Sequence, residues 1–358
     1  MSGWSVLEPF RIARYRVTLK ALDALGLPGF KGSTLRGGFG AAFRRICCSN
    51  RGSGLRAGET CSGCILHETC PYGYIFETSP PPGSEALRKY ENVPRPFVLE
   101  PPLDPKTQYS PGETLDFGLI LIGRGIQYFP YFVVAFRELG EVGIGRGRGR
   151  FQLDRIVALP PESPAGKLDN PHAAEIEVYD GASGRVRQAD ASITGEHILR
   201  EAERLVSLAA SSGALSLQFQ TMTRLKFESQ LNPHPEFHIL VRNLLRRASA
   251  LSYFHHGVSL EVDYRRIIDR AQEVQLEHDD TRWVDWERYS SRQDTRMTLG
   301  GIVGRAVYLG EIGTFAPLLV LGQYVHVGKN VTFGLGKYEL GARVGRSRST
   351  SLSGIQLE

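Results

Sequence analysis

Near the C-terminus the stretch VHVGKNVTFGLGKYEL sets His326 three residues before Lys329, with Gly334, Gly336 and Lys337 following. Histidine is the side chain whose ordinary pKa lets it move protons near neutrality. Lysine supplies a positive charge for an anion, and glycine lets the backbone take φ > 0 or lets another chain come close. That set fits acid–base work beside a phosphate, with His326 as proton carrier, Lys329 as its cationic partner, and Gly334, Gly336 and Lys337 as the cradle. A histidine capping the preceding apolar helix, in a turn with exposed lysines, fits the same residues.

A second set is made of sulfur. All five cysteines fall between Cys47 and Cys70, which leaves none for long-range disulfides. The spacing Cys48-x12-Cys61-x2-Cys64-x5-Cys70 predicts four thiolates around one zinc ion. Cys47 is the alternative to Cys48, and His67 is an outside candidate. An iron–sulfur cluster is the second reading, since Cys70 precedes Pro71. Four protein ligands leave no open position, so the metal is expected to be structural.

The third set is arginine. Only eight of the 43 lysines and arginines are lysine. Arginine's planar fork suits phosphate and stacks on bases, although a GC-rich genome raises its share as well. Arg146, Arg148 and Arg150 alternate with glycines and can cradle phosphates. Arg242 and Arg246 share a helix face. Arg288, Arg292 and Gln293 in WERYSSRQDTR combine cations, an amide and aromatics, as contacts to unpaired RNA do; a solvated strand edge does so too. Tyr15, Phe30 and Tyr128 offer rings for stacking or for the core. His255 and His256 read as a helix-end cap, and His238 as structural.

These residues need elements to position them. The chain has 358 residues, 41% hydrophobic and 23% charged, with a net charge of +5. That describes an ordinary globular protein with room for two cores. No run approaches the ~18 apolar residues of a membrane span, and MSGWSVLEPFRIARYR has no apolar signal-peptide core. Both predict a cytoplasmic protein with no membrane partner.

An internal repeat supplies the architecture. A shift of 187 residues lays Gly123 on Gly310, Pro130 on Pro317, Gly147 on Gly334, Gly149 on Gly336 and Phe151 on Tyr338. Each copy reads as strand, glycine turn, Pro-started helix, Gly-rich basic loop and strand. Upstream, RIARYRVTLKAL and LSLQFQTMTRLKF read as strands. STLRGGFGAAFRRICC reads as a helix capped by Ser33 or Thr34, and PEFHILVRNLLRRASALSYFHH as a helix begun by Pro235. GYIFET, RPFVLEP, WVDWERYS and MTLGGIVGRAVYL read as further strands. The order is β-α-β-β-α-β twice, an α+β chain of two tandem ferredoxin-like domains with a cysteine-rich insert at about 47–72 in the first. The expected division is 1–160, a linker and connecting helix over 161–213, and 214–358. His326 and Lys329 align with Leu139 and Val142, so the first loop looks like a grip and the second can hold chemistry.

KGSTLRGGFG, CPYGYIFETSPPP, PFVLEPP, LIGRGIQYFPYFVVAFRELG and VHVGKNVTFGLGKY together resemble the RAMP superfamily of CRISPR proteins, most nearly the sixth Cas family, the endoribonucleases that process precursor crRNA. The likeness covers most of the chain and is weakest from about Ser163 to Gly213. It implies metal-independent cutting of CRISPR repeat RNA: a 2′-hydroxyl attacks the adjacent phosphate, leaving a 2′,3′-cyclic phosphate and a 5′-hydroxyl. It implies RNA contacts at Lys31 and at Arg36, Arg44 and Arg45 on the first helix. Many members carry a catalytic histidine on that helix, whereas residues 1–66 here contain none. The other expectation is therefore a non-catalytic RAMP subunit that binds crRNA in an effector complex.

Overall fold

The computed structural model describes residues 4–48, 61, 64–66, 69–78, 93–161, 175–210, 213–290 and 295–342. In the first half β1 (Arg11–Ala21), β2 (Phe97–Glu100), β3 (Thr114–Ile122) and β4 (Phe151–Ala158) pair antiparallel in the order β2-β3-β1-β4. In the second half β5 (Ala214–Thr223), β6 (Gln275–Val284), β7 (Gly301–Leu309) and β8 (Tyr338–Ala342) pair as β6-β7-β5-β8. Both are the same ferredoxin-like order. The repeat holds at its boundaries: α3 (Phe129–Val142) and α7 (Ala316–Val325) begin 187 residues apart, as do β4 and β8.

The first sheet runs past Ala158. Ile176–Asp180, Arg185–Val186 and Ile193–Thr194 complete seven strands, the last pair returning to β1. After them comes the expected connecting helix, α4 (Gly195–Ala210).

β3 carries an almost unbroken apolar run because both its faces are covered. Leu119 and Leu121 join Phe39, Phe132 and Phe136 from α1 (Gly32–Cys47) and α3, while Ile120 and Ile122 join a core shared with α4, α5 (Phe237–Leu251) and α7. One apolar layer thus spans the two halves, and burial of this kind contributes about 25 cal/mol per Å².

α1 is rich in glycine, a poor helix former. Close packing explains two of them: a Cβ on Gly32 would collide with the Phe333 carbonyl, and one on Gly38 would press into Leu139. The helix starts at Gly32 after Lys31, with no side-chain cap, so neither Ser33 nor Thr34 caps it. Likewise α5 follows Glu236 rather than beginning at Pro235.

Two expected strands are corrected. GYIFET lies in a helix, α2 (Pro71–Phe76): proline suits its first turn, and Tyr72 and Phe76 stack one turn apart at 5.0 Å. Within WVDWERYS, Trp283 and Val284 end β6, whereas Glu287–Ser290 leaves the sheet to form a hairpin with Thr295–Thr298. A short helix, α6 (Tyr264–Gln272), precedes β6.

Candidate nucleic-acid interface

The Gly-rich loop is tied at its base. α7 stops at Val325 because His326 turns to φ 61°, outside the helical region. Val327 N–H donates to the Gly336 carbonyl at 3.0 Å, and Thr221 Oγ1 donates to the Gly334 carbonyl at 2.8 Å. A Cβ at Gly336 would strike the Val327 carbonyl, and one at Gly334 would meet Pro101 and the Leu99 carbonyl. Both glycines therefore serve close backbone packing, not exposed RNA contact.

His326 is fully buried. Its Nδ1 lies 3.0 Å from the Leu335 carbonyl and its Nε2 3.0 Å from Glu100 Oε1 at the end of β2. Lys337 Nζ donates to that same oxygen at 2.9 Å. Burial pushes the Glu100 carboxyl up, but the Lys337 charge and the His326 hydrogen bond hold it well below the usual range. The expected exposure is corrected at both positions: His326 and Lys337 are enclosed partners of a buried carboxylate. Lys31 is corrected as well, since its Nζ is buried against the Asp104 and Gly29 carbonyls at 2.9 and 3.3 Å.

Lys329 differs, for it stands exposed at the loop tip. Its own N–H donates to the Arg224 carbonyl at 3.2 Å. Partial burial, then the charges of Lys226, Arg224 and Arg246, lower its pKa. Arg242 lies over the Phe227 ring at 5.6 Å. Three further cations thus gather around one lysine, and nothing acidic among the described residues is paired with Arg224 or Lys329. Such a cluster favours a polyanion. Arg224 and Lys226 were missed in the sequence. Their signal was there, since T-R-L-K-F puts both on one face of the chain leaving β5.

The first turn of α1 stands between the two repeated loops. Gly32 abuts Phe333 of the second, while Thr34 and Arg146 of the first line one pocket of about 500 Å³ with Gly26, Leu27, Pro28, Gln108 and Gly145. Arg36, on the same helix, lies 5.4 Å from the Phe333 ring and 5.1 Å from that of Phe76. The hairpin after β6 is seated beside them through Trp286, 4.8 Å from Phe30.

A family model described as the CRISPR-associated endoribonuclease Cas6 matches residues 217–338, the half that holds this loop and its cations. Over those 122 of the 358 residues the chain is similar to the Cas6 endoribonucleases. A second model, AF_1859_N, an N-terminal domain, matches residues 10–191. An uncharacterized protein of Archaeoglobus fulgidus is 24% identical over 318 residues, 88% of this chain and 92% of that one. Among solved structures, a product complex of a Thermus thermophilus Cas6 superposes with a TM-score of 0.52 at 14% identity, over 92% of this chain and 99% of that one. A chain of a partial Cas6-RT-Cas1–Cas2 complex also gives 0.52 at 14% identity over 95% of this chain. This chain spans only 47% of that one's length. Those likenesses support the Cas6 fold.

The remaining expected contacts scatter. Arg148 is exposed, and Arg150 is paired with Asp23 at 2.9 Å. Arg45 is paired with Glu138 at 3.4 Å, and Arg44 is half-buried near Cys61 and Tyr72. Tyr15 is buried and stacks on Phe129. Arg292 and Gln293 lie outside the described residues, and Arg288 is placed by its backbone opposite Met297.

All five cysteines are free thiols. Cys47 is pushed up to about 12 by burial and by Cys70 and Cys48, and Cys61 senses Cys70 and Cys48 as well. Cys64 is exposed. No group of three or more ligands that could hold a metal ion is assembled among the described residues. His67 lies outside them. No described helix is long and apolar enough to cross a membrane.

Proposed function

We propose that the chain cuts CRISPR repeat RNA at the Gly-rich loop, using Lys329 in place of a histidine. The supporting observation is the cation cluster of Lys329, Lys226, Arg224 and Arg246, in which Lys329 is exposed and its pKa is lowered. A lysine so placed releases its proton more readily than an ordinary one. It takes the proton of an RNA 2′-hydroxyl, and the 2′-oxygen attacks the adjacent phosphorus. The bond to the leaving 5′-oxygen breaks, and that oxygen takes up a proton. The products are a 2′,3′-cyclic phosphate and a 5′-hydroxyl. Arg224 and Lys226 stabilise the charge that grows on the phosphorane. The nucleophile is a 2′-hydroxyl, so the substrate is RNA.

The burial of His326 favours a second reading, a non-catalytic RAMP subunit that holds crRNA in an effector complex. We also keep the structural metal as a proposal, resting on the cysteine spacing alone. Repeat RNA carrying single 2′-deoxy substitutions, incubated in EDTA, tests the first reading. Cleavage that one substitution abolishes, and that Lys329→Ala loses, supports it. Tight binding without cleavage supports the second.

A further inference from the structure

Away from the Gly-rich loop, at the other end of β2, four side chains form a ladder. Tyr74 of α2 stacks on Tyr128 with centroids 5.0 Å apart and planes at 21°, and Tyr128 meets Tyr131 at 6.0 Å. The Arg124 guanidinium covers the Tyr74 ring at 5.5 Å. Arg124 is exposed and Tyr131 is 43% exposed, so the two ends of the ladder face solvent. Arg124 has no acidic partner among the described residues, and the exposed Arg11 stands nearby, its backbone held by His256, which packs on Gly123.

The inner ring is fixed by the fold. Tyr74 donates its hydroxyl proton to His255 Nδ1 at 2.9 Å, and His255 Nε2–H donates to the Pro94 carbonyl at 2.6 Å. Gly125 packs on Pro96, so the ladder is seated where β2 begins, whereas the Gly-rich loop is seated where β2 ends. At ~3.3 Å per residue, four residues of strand separate the two by only about 13 Å. Rings held in place present their faces to a ligand at little entropic cost, and guanidinium–aromatic surfaces of this kind take unpaired bases.

We propose that this ladder binds an unpaired segment of the RNA, one base stacking on Tyr131 and another on the Arg124 guanidinium. The proposal rests on the RNA reading above and adds a second contact at the far end of β2. The test uses the full chain, a repeat RNA with a short single-stranded extension at either end, and the same RNA trimmed. A 2-aminopurine in the extension reports stacking by its quenching. Tyr131→Ala and Arg124→Ala are each expected to weaken binding of an extended RNA about tenfold and to relieve the quenching. They leave the trimmed RNA bound as before, and Tyr131→Phe restores both signals. Equal affinity of the wild type for extended and trimmed RNA, or unchanged quenching in both variants, overturns the ladder and leaves the loop reading standing. Failure of the wild type to bind either RNA overturns both.

Discussion

His326 Nε2 lies 3.0 Å from Glu100 Oε1, and with that contact the end of α7 in one half of the chain is tied to β2 in the other. Lys337, at the far side of the Gly-rich loop, reaches the same oxygen. Glu100 thus closes the loop at both of its ends. Gly118 leaves room for it, since a Cβ there would press on Oε2.

Removing that carboxylate leaves two buried donors without an acceptor. Glu100→Ala is expected to cost about 3 kcal/mol of stability, measured by chemical denaturation. The pH dependence has a definite sign. Glu100 is held well below its unfolded value of about 4.3, so its contribution is present above that pH and is lost as pH falls through the folded value. The variant should show a flatter acid limb than the wild type. An unchanged limb would mean that the tie contributes nothing.

His326→Ala separates positioning from proton transfer. A positioning residue changes stability and rate together but leaves the pH–rate profile the same shape. About 2 kcal/mol of destabilisation is expected from leaving Glu100 and the Leu335 carbonyl short of a donor. Loss of one limb of the profile would return His326 to the chemistry.

Lys329→Ala is expected to slow cleavage on the order of a hundredfold, with a much smaller effect on affinity. Because its pKa is lowered, the rate should level off at a lower pH than an ordinary lysine allows. Arg224→Ala should slow cleavage as well, and in addition weaken binding and reduce the slope of log affinity against log salt by about one. Wild-type cleavage by Lys329→Ala would remove the lysine from the mechanism.

Much of the fold was legible because it is local and repeated. The 187-residue shift marks α3 and α7 by their first residues, and the proline and glycine signals fall where the backbone needs them. GYIFET misled because Tyr72, Tyr74 and Phe76 alternate like a strand, while the i, i+4 pair that decides the helix uses two of the same residues. Side-chain destinations were less legible. His326, Lys337 and Lys31 have the right types for phosphate chemistry, but their partners Glu100 and Asp104 lie far off in sequence, and only tertiary packing decides that they are buried. Lys329 kept its exposure because it sits at the tip of the loop rather than at its base.

The cysteines give the prediction that rests on sequence alone. Metal analysis of the purified chain should find about one zinc per chain, or else the visible absorption of an iron–sulfur cluster. Cys61→Ser and Cys64→Ser should each lower the metal content and the unfolding midpoint. Cleavage in EDTA should persist below the new midpoint if the metal is structural. A metal-free wild type with an unshifted midpoint in both variants would sink the proposal.

His255 carries the last prediction. Burial pulls its pKa down to about 4, against the Pro94 hydrogen bond, which acts the other way. The folded state therefore binds fewer protons than the unfolded chain, whose histidines titrate near 6.5. The sign is opposite to that of a histidine gaining an anionic partner: the stabilisation is full above about pH 6.5 and is lost as pH falls toward 4. The difference corresponds to about 3 kcal/mol over that window, which lies above the range where Glu100 acts. Denaturant midpoints of the wild type at pH 7 and pH 5 should differ, and His255→Asn should shrink that difference even if it lowers both values. Equal pH sensitivity in the variant would show that His255 ionises as freely in the folded chain as in the unfolded one.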